Sequence, residues 1–215
     1  MSRSVAHLPP QPATAHRVLD VAERLMQTLG FNGFSYADIS AEVGITKATL
    51  HHHFATKATL GQALIERYCE NFRVALGAID AGGGGGPRKL ERYAHLYREV
   101  LSGQRLCLCG MLAAEYRTLP GPMQDGIRQF FDTNESWLAG VIEEGRRARA
   151  LHVRGSAVEM ARMLLGALEG AMLMAWPTND VERFSSAARA TLACLTVTGT
   201  RAPPSRTRRP LANVG

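Results

Sequence analysis

Apolar residues recur at three- and four-residue steps along almost the whole chain after His16, without the sustained alternation of a half-buried β-strand. This spacing places apolar side chains on one side of a helix. The 215-residue chain is 46% hydrophobic and 20% charged, a balance that supports a buried core rather than a disordered polyelectrolyte. The sequence therefore predicts an all-α fold of about nine helices.

Caps and helix breakers set the predicted boundaries. Ser35 is an N-cap candidate with Asp38 at the third helical position, and Thr46 and Thr56 can cap two further helices. Five consecutive glycines, residues 82–86, are predicted to form a linker, because each glycine costs roughly 1 kcal/mol inside a helix. The predicted helices cover residues 14–29, 36–43, 47–54, 57–80, 88–101, 109–118, 122–151, 156–176 and 180–197.

The charge distribution does not decide the function. The chain has a net charge of +6, which favours nucleic acid or an anionic membrane as partner. Residues 1–60, however, carry five basic and four acidic side chains, whereas residues 199–215 carry four arginines and no acid. The four cysteines are scattered, and no signal or transmembrane segment is recognised. We therefore expect a cytoplasmic protein without disulfides or membrane association.

Two short helices joined by a turn at Gly44 indicate a helix-turn-helix, whose second helix suits the DNA major groove. At 100° per residue, the side of this helix that carries Leu50 is apolar, and Ala48, Thr49 and His52 face the other way. A small alanine lets the backbone approach the bases, and an imidazole can bond to a purine edge. The alternative is a helical hairpin inside an ordinary core.

Residues 30–64, GFNGFSYADISAEVGITKATLHHHFATKATLGQAL, resemble the N-terminal signature of the TetR/AcrR family of transcriptional regulators. The shared positions are Ser35, Ile39, Gly44, Ile45, Thr46, Leu50, His53, Phe54 and Lys57. The resemblance implies that double-stranded DNA is bound, with Lys57 on a phosphate, and that His51 replaces a tyrosine that is usual in the family. The predicted DNA-binding residues are Ser35, Tyr36, Thr46, Lys47, Ala48, Thr49, His51, His52 and Lys57.

The same resemblance implies a homodimer and a small-molecule effector. The predicted domains are a disordered arm (1–13), the helix-turn-helix domain (14–60), an effector-binding and dimerisation domain (61–198) and a disordered basic tail (199–215). The predicted pocket residues are Tyr93, Tyr97, Cys107, Met111, Glu115, Phe130, Asn134, Trp137, Glu169 and Met172. The predicted dimer interface comprises Gly166, Gly170, Phe184, Ala188, Leu192 and Leu195, with ordinary core packing as the alternative.

Residues 107–123, CLCGMLAAEYRTLPGPM, resemble a family branch in which a cysteine at the start of the sixth helix senses electrophiles and oxidants. A helix N-terminus and Arg105 are expected to lower the pKa of Cys107, whereas the alternative is a small buried hydrophobic residue. The predicted function is a repressor released from a palindromic operator by a small apolar or electrophilic effector. The sensing of oxidants through Cys107 is the second hypothesis.

Three other interpretations fit the sequence less well. A cysteine-dependent enzyme lacks a base at an interpretable spacing, so no enzyme and no cofactor are predicted. A non-specific chromosome-binding protein would depend on the arginine-rich tail and would show strong salt dependence. The consecutive residues His51, His52 and His53 diverge by about 100° each on a helix, so no metal site is predicted.

Overall fold

The computed structural model describes residues 12–195. Within them the chain contains nine α-helices and two short 3-10 helices, which confirms the all-α prediction. The α-helices are α1 (Pro12–Leu29), α2 (Tyr36–Val43), α3 (Lys47–His53), α4 (Lys57–Ala81), α5 (Gly86–Ser102), α6 (Leu108–Ala114), α7 (Gly121–Arg147), α8 (Ala157–Ala175) and α9 (Val181–Ala193). No helix among the described residues is long and apolar enough to cross a lipid bilayer.

Helices α1 to α3 pack around a small core of their own. Val18 and Met26 on α1 are fully buried, as are Ile39 on α2 and Leu50 on α3. Ser35 and Asp38 form the predicted capping box at the start of α2, and Gly44 ends that helix with a φ of 74°. The positive φ explains a glycine there, because L side chains are strained in this region.

Helix α4 joins this three-helix unit to the rest of the molecule. Its Arg67 forms salt bridges with Asp20 (2.7 Å) and Glu23 (2.6 Å) on α1. Helix α4 also packs closely on α7, since a Cβ added at Gly61 would lie 2.7 Å from the Met123 sulfur. Helix α4 therefore contacts both the three-helix unit and α7.

Several helix ends differ from the predictions. Helix α1 begins at Pro12, so residues 12 and 13 are helical and not part of a disordered arm. Helix α6 ends at Ala114, and residues 116–118 form a separate 3-10 turn. Helix α7 ends at Arg147 instead of continuing to Leu151, because Arg149 turns to a φ of 56° and the Leu151 N–H donates to the Gly145 carbonyl (3.1 Å). The rest of the arm, the basic tail and the predicted end at residue 197 lie outside the described residues.

The glycine run is only partly a linker. Residues 82–85 connect α4 to α5, but Gly86 is buried and is the first residue of α5. A Cβ added to Gly86 would lie 3.0 Å from the Cα of Gly145 on α7. The fifth glycine is therefore needed for the close approach of two helices, which composition alone does not reveal.

Candidate functional site

The outward face of α3 is small and polar, as the helical angles predicted. Leu50 is fully buried, whereas Ala48, Thr49 and His52 are exposed. Thr46 caps the helix, since its Oγ1 accepts a hydrogen bond from the Thr49 N–H at 3.1 Å. This surface of a rigid, capped helix fits contact with base edges in a major groove.

Two of the predicted DNA-binding residues make contacts at the C-terminal end of α3. Tyr36 is buried, in contrast to the prediction, and its hydroxyl donates to the Phe54 carbonyl at 2.9 Å. Burial raises the pKa of Tyr36 to about 12. The His51 ring lies 4.8 Å from the Tyr36 ring, and its Nδ1 is 3.0 Å from the Ala55 carbonyl oxygen. Both side chains therefore fix the end of the recognition helix.

The Lys57 ammonium also differs from the prediction, because it points into the domain. It donates to the Phe34 carbonyl and lies 4.8 Å and 4.1 Å from the ring centroids of Phe31 and Phe34. Desolvation lowers its pKa. In this conformation the Lys57 charge is bound within the protein, whereas Lys47 and Ser35 are exposed on the predicted DNA side.

Most of the predicted pocket residues do converge in the interior of the second domain. We call the following residues the interior cluster: Tyr68, Phe72, Tyr93, Tyr97, Cys107, Phe130, Asn134, Glu169 and Met172. The Tyr93 hydroxyl donates to the Asn134 side-chain oxygen at 2.9 Å and lies 3.3 Å from the Tyr97 hydroxyl. The Cys107 N–H donates to the Met172 sulfur at 3.1 Å.

Glu169 is the acidic group of the interior cluster. Burial raises its pKa to about 7, although the neighbouring Cys107 and Tyr97 side chains favour the charged form. Its Oε1 is buried and has no hydrogen-bond partner within residues 12–195. Glu169 also lines a cavity of about 310 Å³ between α6, α7 and α8, where a Cβ added at Gly110 would lie 2.3 Å from its Oε2. The carboxyl group is thus positioned to receive a hydrogen-bond donor or a positive charge from a ligand.

The structure overturns the predicted acidity of Cys107. Its thiol is buried in the core, and burial raises its pKa well above the ordinary value, with Glu169 adding to the effect. Arg105, which was expected to lower this pKa, instead lies 3.4 Å from the Gln27 side-chain oxygen. Because the thiolate is the reactive form, Cys107 has the environment of a structural cysteine.

The remaining predicted pocket residues lie away from Glu169. Glu115 accepts hydrogen bonds from the backbone and side chain of Asn32 (3.1 and 3.0 Å), so it joins α6 to the loop after α1. Trp137 stacks on Tyr93 at 5.5 Å and borders the cluster, and Met111 is half-buried on α6. Sequence analysis missed Tyr68 and Phe72, although two aromatic residues four apart on α4 are a visible signal for one helix face.

The predicted dimer interface divides into two groups. Phe184, Ala188 and Leu195 are buried within their own chain, and Leu192 is half-buried. On α8, in contrast, Gly166 is exposed and Gly170 is half-buried, and a Cβ added to either would meet no atom within 4 Å. Four large apolar side chains are exposed on the same helix: Val158, Met163, Leu173 and Met174. The large exposed apolar side chains are therefore on α8 and not on α9.

Within the part of the chain that the structure describes, no group of three or more histidine, cysteine, aspartate or glutamate side chains could hold a metal ion. The fold and the α3 surface together define a helix-turn-helix DNA-binding protein with an all-helical second domain.

Comparison with known proteins agrees with this assignment. Residues 18–64 match the family model of bacterial regulatory proteins of the tetR family, and residues 86–191 match that of the tetracyclin repressor-like C-terminal domain. A TetR-family transcriptional regulator from Agrobacterium tumefaciens is 30% identical in sequence, and its structure covers 87% of this chain and 100% of its own with a TM-score of 0.84. The chain belongs to the TetR family and is a DNA-binding transcriptional regulator, not an enzyme.

Among curated proteins, the HTH-type transcriptional repressor NemR of Escherichia coli (strain K12) is 25% identical over 183 residues, which cover 81% of this chain and 89% of NemR. The crystal structure of reduced E. coli NemR has a TM-score of 0.74 at 22% identity, with 87% of this chain and 100% of that chain covered. The structural similarity at this identity concerns the fold alone.

Proposed function

We propose that this regulator binds a palindromic operator as a homodimer and acts as a repressor. The main support is that Ala48, Thr49 and His52 are exposed on one side of α3, while Leu50 on the other side is buried in the core. One seven-residue helix makes few base contacts, and two copies gain affinity by reading two half-sites. The similarity to the repressor NemR supports repression rather than activation.

The exposed α8 surface supports the dimer. Met163, Leu173 and Met174 are 41%, 53% and 60% exposed, although large apolar side chains on one helix normally find a covering partner. The open glycines Gly166 and Gly170 allow a second helix to approach closely. A second copy of the chain, related by a two-fold axis, is the occupant that a palindromic operator requires.

We infer that the effector is a small, largely apolar molecule that carries a hydrogen-bond donor or a positive charge. The cavity beside Glu169 has apolar lining from Ala113, Phe131 and Leu165, which suits an apolar body, and the unpartnered Oε1 of Glu169 suits a donor. Release from DNA requires that the effector bind the DNA-incompetent state more tightly. Helix α4 connects the interior cluster to the recognition helix, since it contributes Tyr68 and Phe72 to the cluster and begins next to α3.

The test of DNA recognition is the selection of double-stranded fragments by the purified full-length protein. We expect a palindrome to be enriched. The variant His52→Ala should bind it less tightly by about 1–3 kcal/mol and with relaxed preference at one position of each half-site, and Lys47→Ala should weaken all sequences alike. His95→Ala, on an exposed position of α5, is the matched control and should bind like the wild type. Fragments without a common sequence, or identical selections for wild type and His52→Ala, would contradict the proposal.

A further inference from the structure

A cavity of about 290 Å³ lies at the joint between the three-helix unit and the second domain, and we call it the joint cavity. Glu23 lines it from α1, and the other lining side chains come from α4, α5 and the loop before α6. It shares no lining residue with the cavity at Glu169. Ligand pockets usually hold about 300–1,000 Å³, so the joint cavity suits a small molecule.

The floor of the joint cavity is apolar and partly aromatic. Tyr68 is buried and Phe72 is half-buried on α4, and their ring centroids are 6.2 Å apart. Leu96 and Val100 line the cavity from α5, and both are half-buried. Covering such a surface favours the binding of an apolar group. The body of a ligand is therefore expected to be an aromatic ring or a branched alkyl group.

Arg105 gives the rim of the joint cavity a positive charge. It is half-buried, and it takes part in none of the salt bridges within the described chain. Its Nη1 donates to the neutral Gln27 side-chain oxygen at 3.4 Å. A partly buried cation without an opposite charge is unfavourable, and a guanidinium can bind a carboxylate through two parallel hydrogen bonds. A carboxylate therefore complements this side of the rim.

The α5 side of the rim carries the opposite charge. Glu23 and Glu99 both line the joint cavity, but Glu23 is already paired with Arg67 at 2.6 Å. Glu99 is exposed, and its contact with His95 Nδ1 at 3.5 Å is an ion pair only when the imidazole is protonated. Among residues 12–195, no salt bridge joins Glu99 to the cation on the other side of the cavity. Glu99 is therefore available to an ammonium group.

We propose that the joint cavity binds an apolar amino acid in its zwitterionic form. The carboxylate pairs with Arg105 and the ammonium group with Glu99, while the apolar side chain packs on Tyr68 and Phe72. This ligand differs from the effector inferred for Glu169, which needs no carboxylate. Because α1, α4 and α5 all line the cavity, the bound amino acid would hold the three-helix unit against the second domain. Neither the site nor its test depends on the proposed DNA binding.

The probe is L-phenylalanine, titrated at neutral pH into the purified full-length protein by isothermal titration calorimetry. We expect saturable binding with a Kd on the order of 1 mM, the ordinary affinity for a molecule of this size. L-Phenylalaninamide lacks the carboxylate, and N-acetyl-L-phenylalanine lacks the ammonium group. Each should bind at least about tenfold more weakly, because a charge-assisted hydrogen bond is lost. The absence of saturable binding below on the order of 10 mM, or equal binding of the analogues, would overturn the proposal.

Charge variants locate the binding site. Arg105→Gln and Glu99→Gln should each weaken the binding of L-phenylalanine by about tenfold, and Arg105→Gln should also abolish its advantage over the amide. Arg98→Gln and Glu91→Gln change exposed α5 residues outside the lining of the joint cavity. They are the matched controls and should bind like the wild type, as should Glu169→Gln. Wild-type affinity in both Arg105→Gln and Glu99→Gln would overturn the proposal. The analogues probe the unaltered chain, so the test stands even where Arg105→Gln folds poorly.

Hydrogen exchange gives a second measurement of where the amino acid binds. L-Phenylalanine should slow the exchange of amides around Glu23 on α1 and around Arg105, because a bound ligand suppresses local opening. Protection that appears only around Glu169 would place the ligand in the other cavity and would overturn the proposal. A failure to select a palindrome would contradict the DNA proposal and would not change this result.

Discussion

At the scale of single residues, Glu169 shows how burial changes the acidity of a side chain. Its carboxyl lies among tyrosines and a thiol, and one oxygen has no partner within residues 12–195. Burial without a cation destabilises the charged form, which explains the rise of the pKa from 4.5 to about 7. The folded protein without ligand therefore favours the neutral form of Glu169. A bound hydrogen-bond donor or cation would favour the charged form.

We expect Glu169→Gln to change how stability depends on pH. Because the pKa is raised on folding, the stabilisation from the protonated group is complete below about 4.5 and is lost as the pH rises through about 7. Urea unfolding of the wild type should thus lose up to about 3 kcal/mol over this interval relative to the glutamine variant.

Glu91→Gln, exposed on α5, controls for the loss of one negative charge and should follow the wild type. Parallel stability curves for Glu169→Gln and wild type would contradict a buried ionisable carboxyl. As a second readout, benzylamine should stabilise the wild type at pH 8 more than benzoate does. This preference should disappear in Glu169→Gln, and a preference that persists would contradict the inferred effector chemistry.

At the scale of elements, the caps matter most where the helix is shortest. Thr46 caps the seven-residue α3, in which only Leu50 is buried, whereas Thr56 caps the 25-residue α4 with seven buried residues. Short helices are marginal without tertiary packing. The recognition helix therefore depends on its cap far more than α4 does.

We expect Thr46→Ala to speed hydrogen exchange of α3 amides, starting with Thr49, and to cost about 1 kcal/mol of stability. Thr56→Ala removes an equivalent hydrogen bond, from the Thr59 N–H at 3.1 Å, and should expose only the first turn of α4. Exchange mass spectrometry distinguishes the two, with Thr46→Ser as the variant that should restore protection. Unchanged protection of α3 in Thr46→Ala would show that packing alone holds the helix.

At the scale of the whole molecule, the proposed dimer depends on a surface that one chain leaves uncovered. The face of α8 around Gly166 combines open glycines with exposed methionine and leucine side chains. Two chains joined there can place two α3 helices on successive half-sites, which a single chain cannot do.

We expect Gly166→Arg to run as a monomer of 23.4 kDa in size-exclusion chromatography with light scattering, while the wild type has twice that mass. The side chain would separate the paired helices, but it has room in the single chain. Gly140→Arg on α7, equally open, is the matched control and should remain dimeric. A dimeric Gly166→Arg protein would place the interface elsewhere.

Sequence reasoning succeeded where the determining interactions are local. The capping box of Ser35 and Asp38, the turn at Gly44 and the burial of Leu50 all follow from neighbours within a few residues. It failed where distant elements meet. Lys57 points at Phe34, 23 residues away, and Phe184 is covered by its own chain.

The sequence by itself determined the helical fold, the helix-turn-helix, the outward face of α3 and the resemblance to TetR regulators, because periodicity, caps and motifs are properties of adjacent residues. Only the tertiary structure decided which thiol and which carboxyl are buried and which apolar face is left open. Tyr93 and Asn134 are 41 residues apart in sequence, and their hydrogen bond of 2.9 Å forms only where α5 packs on α7. Burial and contact arise only when distant helices pack together, so no local pattern in the chain contains them.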